Sequence, residues 1–200
     1  MKTAKIISIL GHPIFHPTWM MIIMLLSGIT RFTPGNDLTF LTITFSMTCL
    51  IPALIIVMMK RWHVIDSFEM EDRDDRLGPL FIMILFLYAT LRFFNKMPLF
   101  SVFSFYLTTT IVATILAFII TFFWKISLHS LGWGCTTACL FVMTTASIRM
   151  YLPYFIGSII ISGIVAAARL KVKSHSNAQI YTGFAMGFAT VIIMYFLFLL

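Results

Sequence analysis

Two short segments of this sequence place histidines beside basic residues at the ends of apolar stretches. One runs from Lys125 to His129, and the other joins Arg169, His175 and Gln179 with the spacing R-x5-H-x3-Q. One imidazole can attack phosphorus, a second can protonate the leaving oxygen, and cations can neutralise the phosphoryl oxygens. His175 also lies just before the last apolar stretch, where the N-terminus of a helix favours a phosphate. The two segments therefore indicate phosphoryl transfer.

The composition indicates a protein that lies within a membrane. Of its 200 residues, 60% are hydrophobic and only 10% are charged, whereas soluble domains average about 25% charged residues. The net charge of +7 comes from basic residues in short loops between apolar runs. Such loops set membrane topology and contact anionic lipid, so we expect membrane lipids as partners and no nucleic acid.

The apolar runs predict an all-α, polytopic membrane helix bundle with six to seven transmembrane helices, in a single integral membrane domain over residues 1–200. The first span is expected to follow an irregular, interfacial GHPIFHP segment, and the second to kink at Pro52. The predicted spans are Thr18–Ile29, Leu38–Met59, Pro79–Phe94, Leu99–Trp124, Leu131–Ser147, Tyr154–Ala168 and Ala178–Leu200.

Seven crossings would place all five histidines and most of the lysines and arginines on one side of the membrane. His12 and His16 have the i, i+4 spacing of a metal-ligand pair, but prolines follow both residues and argue against a regular helix. We therefore interpret both as residues of the membrane interface and expect no metal site. The positive-inside rule places the histidine side in the cytoplasm, but the proposed phosphate ligands account for much of that bias, so sidedness stays open.

The two segments resemble motifs of a known family. The sequence SLHS around His129 is similar to the S-G-H motif of the type 2 phosphatidic acid phosphatase superfamily. The sequence AAARLKVKSHSNAQ, from Ala166 to Gln179, is similar to its S-R-x5-H-x3-D motif. The resemblance covers residues 120–190. It implies a membrane-embedded lipid phosphate or polyprenyl diphosphate phosphatase without metal or cofactor, and a location in the bacterial inner membrane.

The resemblance also implies a role for each matching residue. His175 would be the nucleophile that becomes phosphohistidine, and His129 would be the general acid and then the base that activates water. Arg169 would bind the phosphate, and Lys125 would be a second ligand. The family's first motif, K-x6-R-P, has no match here, and Arg76 in the segment RDDRLGP is the nearest stand-in as a phosphate ligand.

Three positions differ from the family pattern. Ala168 and Leu128 replace a serine and a glycine, and Gln179 replaces the aspartate that orients the nucleophile. A neutral amide can still accept the imidazole N–H but offers no charge, and loss of such a carboxylate slows a Ser-His-Asp triad by orders of magnitude. Two alternatives stay open: a catalytically eroded lipid-binding protein of the same fold, and an intramembrane prenyltransferase whose DRDD segment at 72–75 holds a diphosphate through Mg²⁺.

Overall fold

A computed structural model describes residues 2–28, 36–68, 72–97 and 101–199. Most of these residues are helical, and none of them forms a strand. A 3₁₀ turn, Pro13–Phe15, separates the first two helices, and a π-helical turn, Ser46–Leu50, separates the third and fourth. The helices are α1 (Lys2–Leu10), α2 (His16–Leu26), α3 (Asp37–Phe45), α4 (Ile51–Arg61), α5 (Asp74–Phe94), α6 (Ser101–Thr121), α7 (Leu128–Ala146), α8 (Ile148–Lys171) and α9 (Asn177–Leu199).

Six helical stretches are long and apolar enough to cross a membrane. They are Lys2–Leu26, Asp37–Arg61, Asp74–Phe94, Ser101–Thr121, Ile148–Lys171 and Asn177–Phe198. Large apolar side chains are exposed along them, as at Ile160 and Phe198, and such a surface suits contact with lipid rather than water. The prediction of an all-α polytopic membrane bundle is confirmed.

The first span differs from its predicted bounds, because the helical course begins at Lys2 and not at Thr18. Its predicted end, Ile29, lies outside the described residues. The two prolines do not end the helical course. Pro13 opens the 3₁₀ turn, and Pro17 lies in the first turn of α2, and at both positions a missing backbone N–H costs no helical hydrogen bond.

Three other helices begin three or more residues before their predicted starts: α5 at Asp74, α7 at Leu128 and α8 at Ile148. The first turn of α5 contains Asp74 and Asp75, and carboxylates are favourable at the positive end of the helix dipole although they are not apolar. The π-helical turn lies just before Pro52, whose missing N–H would otherwise bond the Thr48 carbonyl.

The chain divides into two compact units, one of residues 2–16 with 126–199 and one of Pro17–Lys125. In the first unit, α7 packs against α8 and α9, and α1 packs against α8. Twelve of the 19 residues of α7 are buried, including Thr136 and Thr137. Because its neighbours cover it, α7 needs no apolar outer surface, and it is not among the six spanning stretches.

Glycines allow α7 and α9 to approach closely. A Cβ atom at Gly183 would lie 2.6 Å from the carbonyl oxygen of Ser127, and one at Gly187 would meet the carbonyl oxygen of Leu131. Small residues four apart are the usual means of close helix packing in membranes. The helices run parallel, and the Ser127 N–H donates to the Gln179 carbonyl at 3.2 Å. The N-terminal ends of α7 and α9 are therefore adjacent.

Candidate functional site

The N-terminal end of α9 is closed by a reciprocal capping box. The backbone N–H of Ser176 donates to Oε1 of Gln179 at 3.0 Å, and the N–H of Gln179 lies 3.4 Å from Oγ of Ser176. This S-x-x-Q pattern satisfies two backbone donors that the first helical turn leaves without partners. The same Oε1 lies 3.1 Å from Nδ1 of His175.

The capping box determines the hydrogen-bonding state of the His175 ring. A half-turn of an amide side chain exchanges its oxygen and its nitrogen, so the hydrogen-bond partners must decide between the two orientations. Because the Ser176 N–H can only donate, the oxygen of Gln179 must face it. That oxygen also faces Nδ1 of His175, which therefore carries the proton. In the neutral ring, the lone pair then lies on Nε2.

His129 occupies the first turn of α7, next to the cap of that helix. Ser127 is the N-cap, and its Oγ accepts the N–H of Ser130. The His129 side chain is buried, and its Nε2 lies 3.1 Å from the carbonyl oxygen of Ser8 in α1. Because a carbonyl can only accept, Nε2 carries the proton and Nδ1 has the lone pair in the neutral ring.

Ser8 also positions Arg169, in the last turn of α8. A terminal guanidinium nitrogen of Arg169 donates to Oγ of Ser8 at 2.8 Å. Ser8 itself is buried, and its hydroxyl and its carbonyl contact different residues. The packing of α1 on α8 thus brings Arg169 and His129 together around one serine.

His12 joins this group, and its place at the membrane interface stays a prediction. Its ring meets the His129 ring edge to face, with centroids 4.9 Å apart and an interplanar angle of 82°. Arg169 interacts electrostatically with both rings. Unlike His129, His12 is exposed, and its Nδ1 accepts the N–H of Ile14 at 3.2 Å. We call Ser8, His12, His129 and Arg169 the polar cluster.

His16 is a buried residue that packs against α7 and not a residue exposed at the membrane interface. It is buried, with Nδ1 2.7 Å from Oγ1 of Thr136 and its ring edge to face with Trp133 at 4.6 Å. The indole N–H of Trp133 donates to the carbonyl of Gly11 at 3.2 Å. These contacts attach the 3₁₀ turn to α7, and through that turn they position His12.

The structure places the predicted site residues of the first unit in two groups. Arg169 and His129 meet at Ser8, and His175 meets Gln179 at the adjacent end of α9. Lys125, half-buried, and Arg76, buried at the start of α5, belong to the second unit. Their assignment as phosphate ligands stays a prediction.

The DRDD segment makes structural contacts within the second unit. Both carboxylate oxygens of Asp75 accept the backbone N–H of Asp66, at 3.2 and 3.1 Å. Arg73 donates to the carbonyl of Phe123 at 3.1 Å, just beyond the C-terminus of α6. Within the described part of the chain, no three His, Cys, Asp or Glu side chains form a group that could hold a metal ion.

The site is thus a set of oriented imidazoles and one guanidinium at the ends of α7, α8 and α9. The fold and this site define a polytopic membrane helix bundle with a histidine–arginine cluster. The chain matches no protein-family model, no curated protein and no solved structure.

Proposed function

We propose that this chain is a membrane phosphatase that hydrolyses a lipid phosphate or a polyprenyl diphosphate through a phosphohistidine at His175. The observation that carries the proposal is the hydrogen bond from Nδ1 of His175 to Oε1 of Gln179. It leaves the lone pair of the neutral ring on Nε2, the atom that must attack phosphorus. The same residues carry the resemblance to the type 2 phosphatidic acid phosphatases.

In the proposed reaction the two oriented rings have successive roles. Nε2 of His175 forms a bond to phosphorus while the bond from phosphorus to the leaving oxygen breaks. The imidazolium of His129 gives its Nδ1 proton to that oxygen, and its Nε2–H stays on the Ser8 carbonyl. The neutral His129 then takes a proton from water, which attacks phosphorus, breaks the N–P bond and releases phosphate.

Two features support phosphate binding at this place. The guanidinium of Arg169 is held by Ser8 beside His129, and a planar guanidinium suits phosphate oxygens. The N-terminal ends of α7 and α9 lie together, and the positive ends of their dipoles favour an anion.

A lipid substrate accords with the apolar exterior of the bundle. Large exposed side chains, such as Ile160 and Phe198, cover the outer faces of α8 and α9. An acyl or prenyl chain can lie along such a surface in the bilayer and keep its phosphate at the helix ends. By the same resemblance, we propose the bacterial inner membrane as the location.

The test is phosphate release from phosphatidic acid and from a polyprenyl diphosphate, by purified protein in detergent with EDTA present. We expect turnover that is lost in His175→Ala and in His129→Ala, and a ³²P-labelled, acid-labile protein adduct that His175→Ala abolishes. His63→Asn is the matched control, because His63 is an exposed loop residue with a φ of 57° that asparagine tolerates.

Two results would replace the proposal with one of its alternatives. Folded wild-type protein that binds the lipid phosphate without releasing phosphate would favour an eroded lipid-binding protein. Prenyl transfer that requires Mg²⁺ would favour a prenyltransferase. Both carboxylate oxygens of Asp75 already accept the Asp66 N–H, which is an argument against that alternative.

A further inference from the structure

His12 has no counterpart among the motif residues that the resemblance supplies, yet it belongs to the polar cluster. We infer that His12 is a phosphate ligand of this site, donating a hydrogen bond from Nε2 to a phosphoryl oxygen. The inference rests on the proposed function, since it names one more residue of the same phosphate site.

The contacts of His12 set the proton on the correct atom. Its Nδ1 is the N-cap acceptor of the 3₁₀ turn and receives the backbone N–H of Ile14 at 3.2 Å. A nitrogen that accepts cannot also carry a proton, so in the neutral ring the proton lies on Nε2. His12 therefore presents a donor and no lone pair on the side of the ring away from the turn.

Exposure distinguishes His12 from its neighbour. His129 is buried, and its Nε2–H is used by the Ser8 carbonyl. His12 is an exposed residue, its ring lies against the His129 ring, and it interacts electrostatically with Arg169. A phosphate bound by the Arg169 guanidinium would thus find an accessible neutral donor in His12, next to the proposed acid.

The geometry favours binding over proton transfer. A general acid of ordinary strength would have to be the imidazolium, which has protons on both nitrogens. Such a ring could not accept the Ile14 N–H, and the cap of the turn would be lost. His12 thus binds as a neutral donor, while His129, whose Nε2 donates to a carbonyl, can accept a proton at Nδ1 without losing a contact.

Two substitutions of His12 distinguish the role of Nε2 as a hydrogen-bond donor from the role of Nδ1 as the N-cap acceptor. His12→Asn keeps an oxygen that can accept the Ile14 N–H, because asparagine is a preferred N-cap, but it lacks a donor at the position of Nε2. His12→Gln has an amide N–H₂ near that position. Both variants and the wild type would be titrated with inorganic phosphate by calorimetry. They would then be assayed with p-nitrophenyl phosphate, a good leaving group, and with phosphatidic acid, a poor one.

We expect His12→Asn to weaken phosphate binding about tenfold, the effect of one lost hydrogen bond to a charged group. The same factor should appear in kcat/KM for both esters, and His12→Gln should recover most of it. Unchanged phosphate affinity in His12→Asn would overturn the inference. A loss confined to phosphatidic acid would also overturn it, since that result assigns proton donation to His12.

The two proposals fail in different ways. If the wild type binds phosphate, and His12→Asn binds it less tightly, but neither ester is hydrolysed, then the phosphatase proposal falls and the phosphate ligand stands. If the esters are hydrolysed and His12→Asn binds and turns over like the wild type, only the His12 inference falls. A wild type that neither binds phosphate nor hydrolyses an ester overturns both.

Discussion

Nδ1 of His175 lies 3.1 Å from Oε1 of Gln179, the same oxygen that accepts the Ser176 N–H at 3.0 Å. One side chain thus caps a helix and sets the tautomer of the proposed nucleophile. The glutamine provides the acceptor oxygen that a carboxylate could also provide, without the negative charge. Orientation and charge can therefore be separated by experiment.

Gln179→Glu introduces a negative charge at the acceptor group with almost no change in side-chain length. A charged acceptor makes a hydrogen bond about twice as strong as a neutral one, and an additional ~1.4 kcal/mol in the transition state corresponds to tenfold in rate. We expect kcat for phosphatidic acid to rise about tenfold. Gln179→Leu removes the acceptor and should lower kcat instead. A glutamate variant slower than the wild type would contradict this account of Gln179.

Ser8→Ala tests how Arg169 is positioned. The substitution removes the hydroxyl that receives Arg169 at 2.8 Å and leaves the backbone carbonyl that receives His129. We expect KM to rise about fivefold with a smaller change in kcat, since about 1 kcal/mol is typical of one hydrogen bond. Ser8→Thr keeps the hydroxyl and serves as the control. An equal fall in kcat for both variants would indicate general damage to the packing of α1.

Gly187→Ala tests the contact between α7 and α9. The new methyl group would meet the Leu131 carbonyl oxygen, a backbone atom that cannot rotate away, so we expect a loss of about 3 kcal/mol. Gly163→Ala in α8 is the matched control, because nothing lies within 4 Å of its added Cβ. That change should stabilise the helix by about 0.5 kcal/mol or more. The midpoint of SDS-induced unfolding, followed by circular dichroism, measures both effects.

Ser176→Ala tests the capping box by itself. It removes the Oγ that faces the Gln179 N–H and leaves the Gln179 side chain in place. We expect a loss of about 1 kcal/mol of stability and a kcat that falls less than in Gln179→Leu. Asn177→Ala, at the neighbouring exposed position, should change neither quantity by much. If both alanine variants unfold at the same midpoint as the wild type, the capping box does not stabilise α9.

Much of the fold could be predicted from the sequence, because long apolar runs leave the chain few alternatives to helices in a membrane. The pairing of His175 with Gln179 was also predictable, since residues four apart meet within one helical turn. The S-x-x-Q pattern at Ser176–Gln179 also predicts the capping box at the start of α9. The predicted start of the first span is wrong, because Pro13 and Pro17 do not interrupt the helical course and both occupy positions that prolines tolerate.

The polar cluster could not be predicted in the same way. Ser8 is separated from His129 by 121 residues and from Arg169 by 161. No local spacing encodes contacts over such distances, because they arise from the packing of α1 on α8. The predicted clustering of histidines on one side of the membrane was the one signal that included His12, and it did not indicate which rings meet.

The division of the chain has a consequence for biosynthesis. Ser8 and His12 emerge from the ribosome early, but their partners in α7 and α8 follow only after all of Pro17–Lys125 has been made. During that interval the Ser8 hydroxyl and the His12 ring lack the partners that α8 and α7 provide in the folded chain. The polar cluster can therefore form only after α7 and α8 have been synthesised, and its contacts cannot guide the earlier steps of folding.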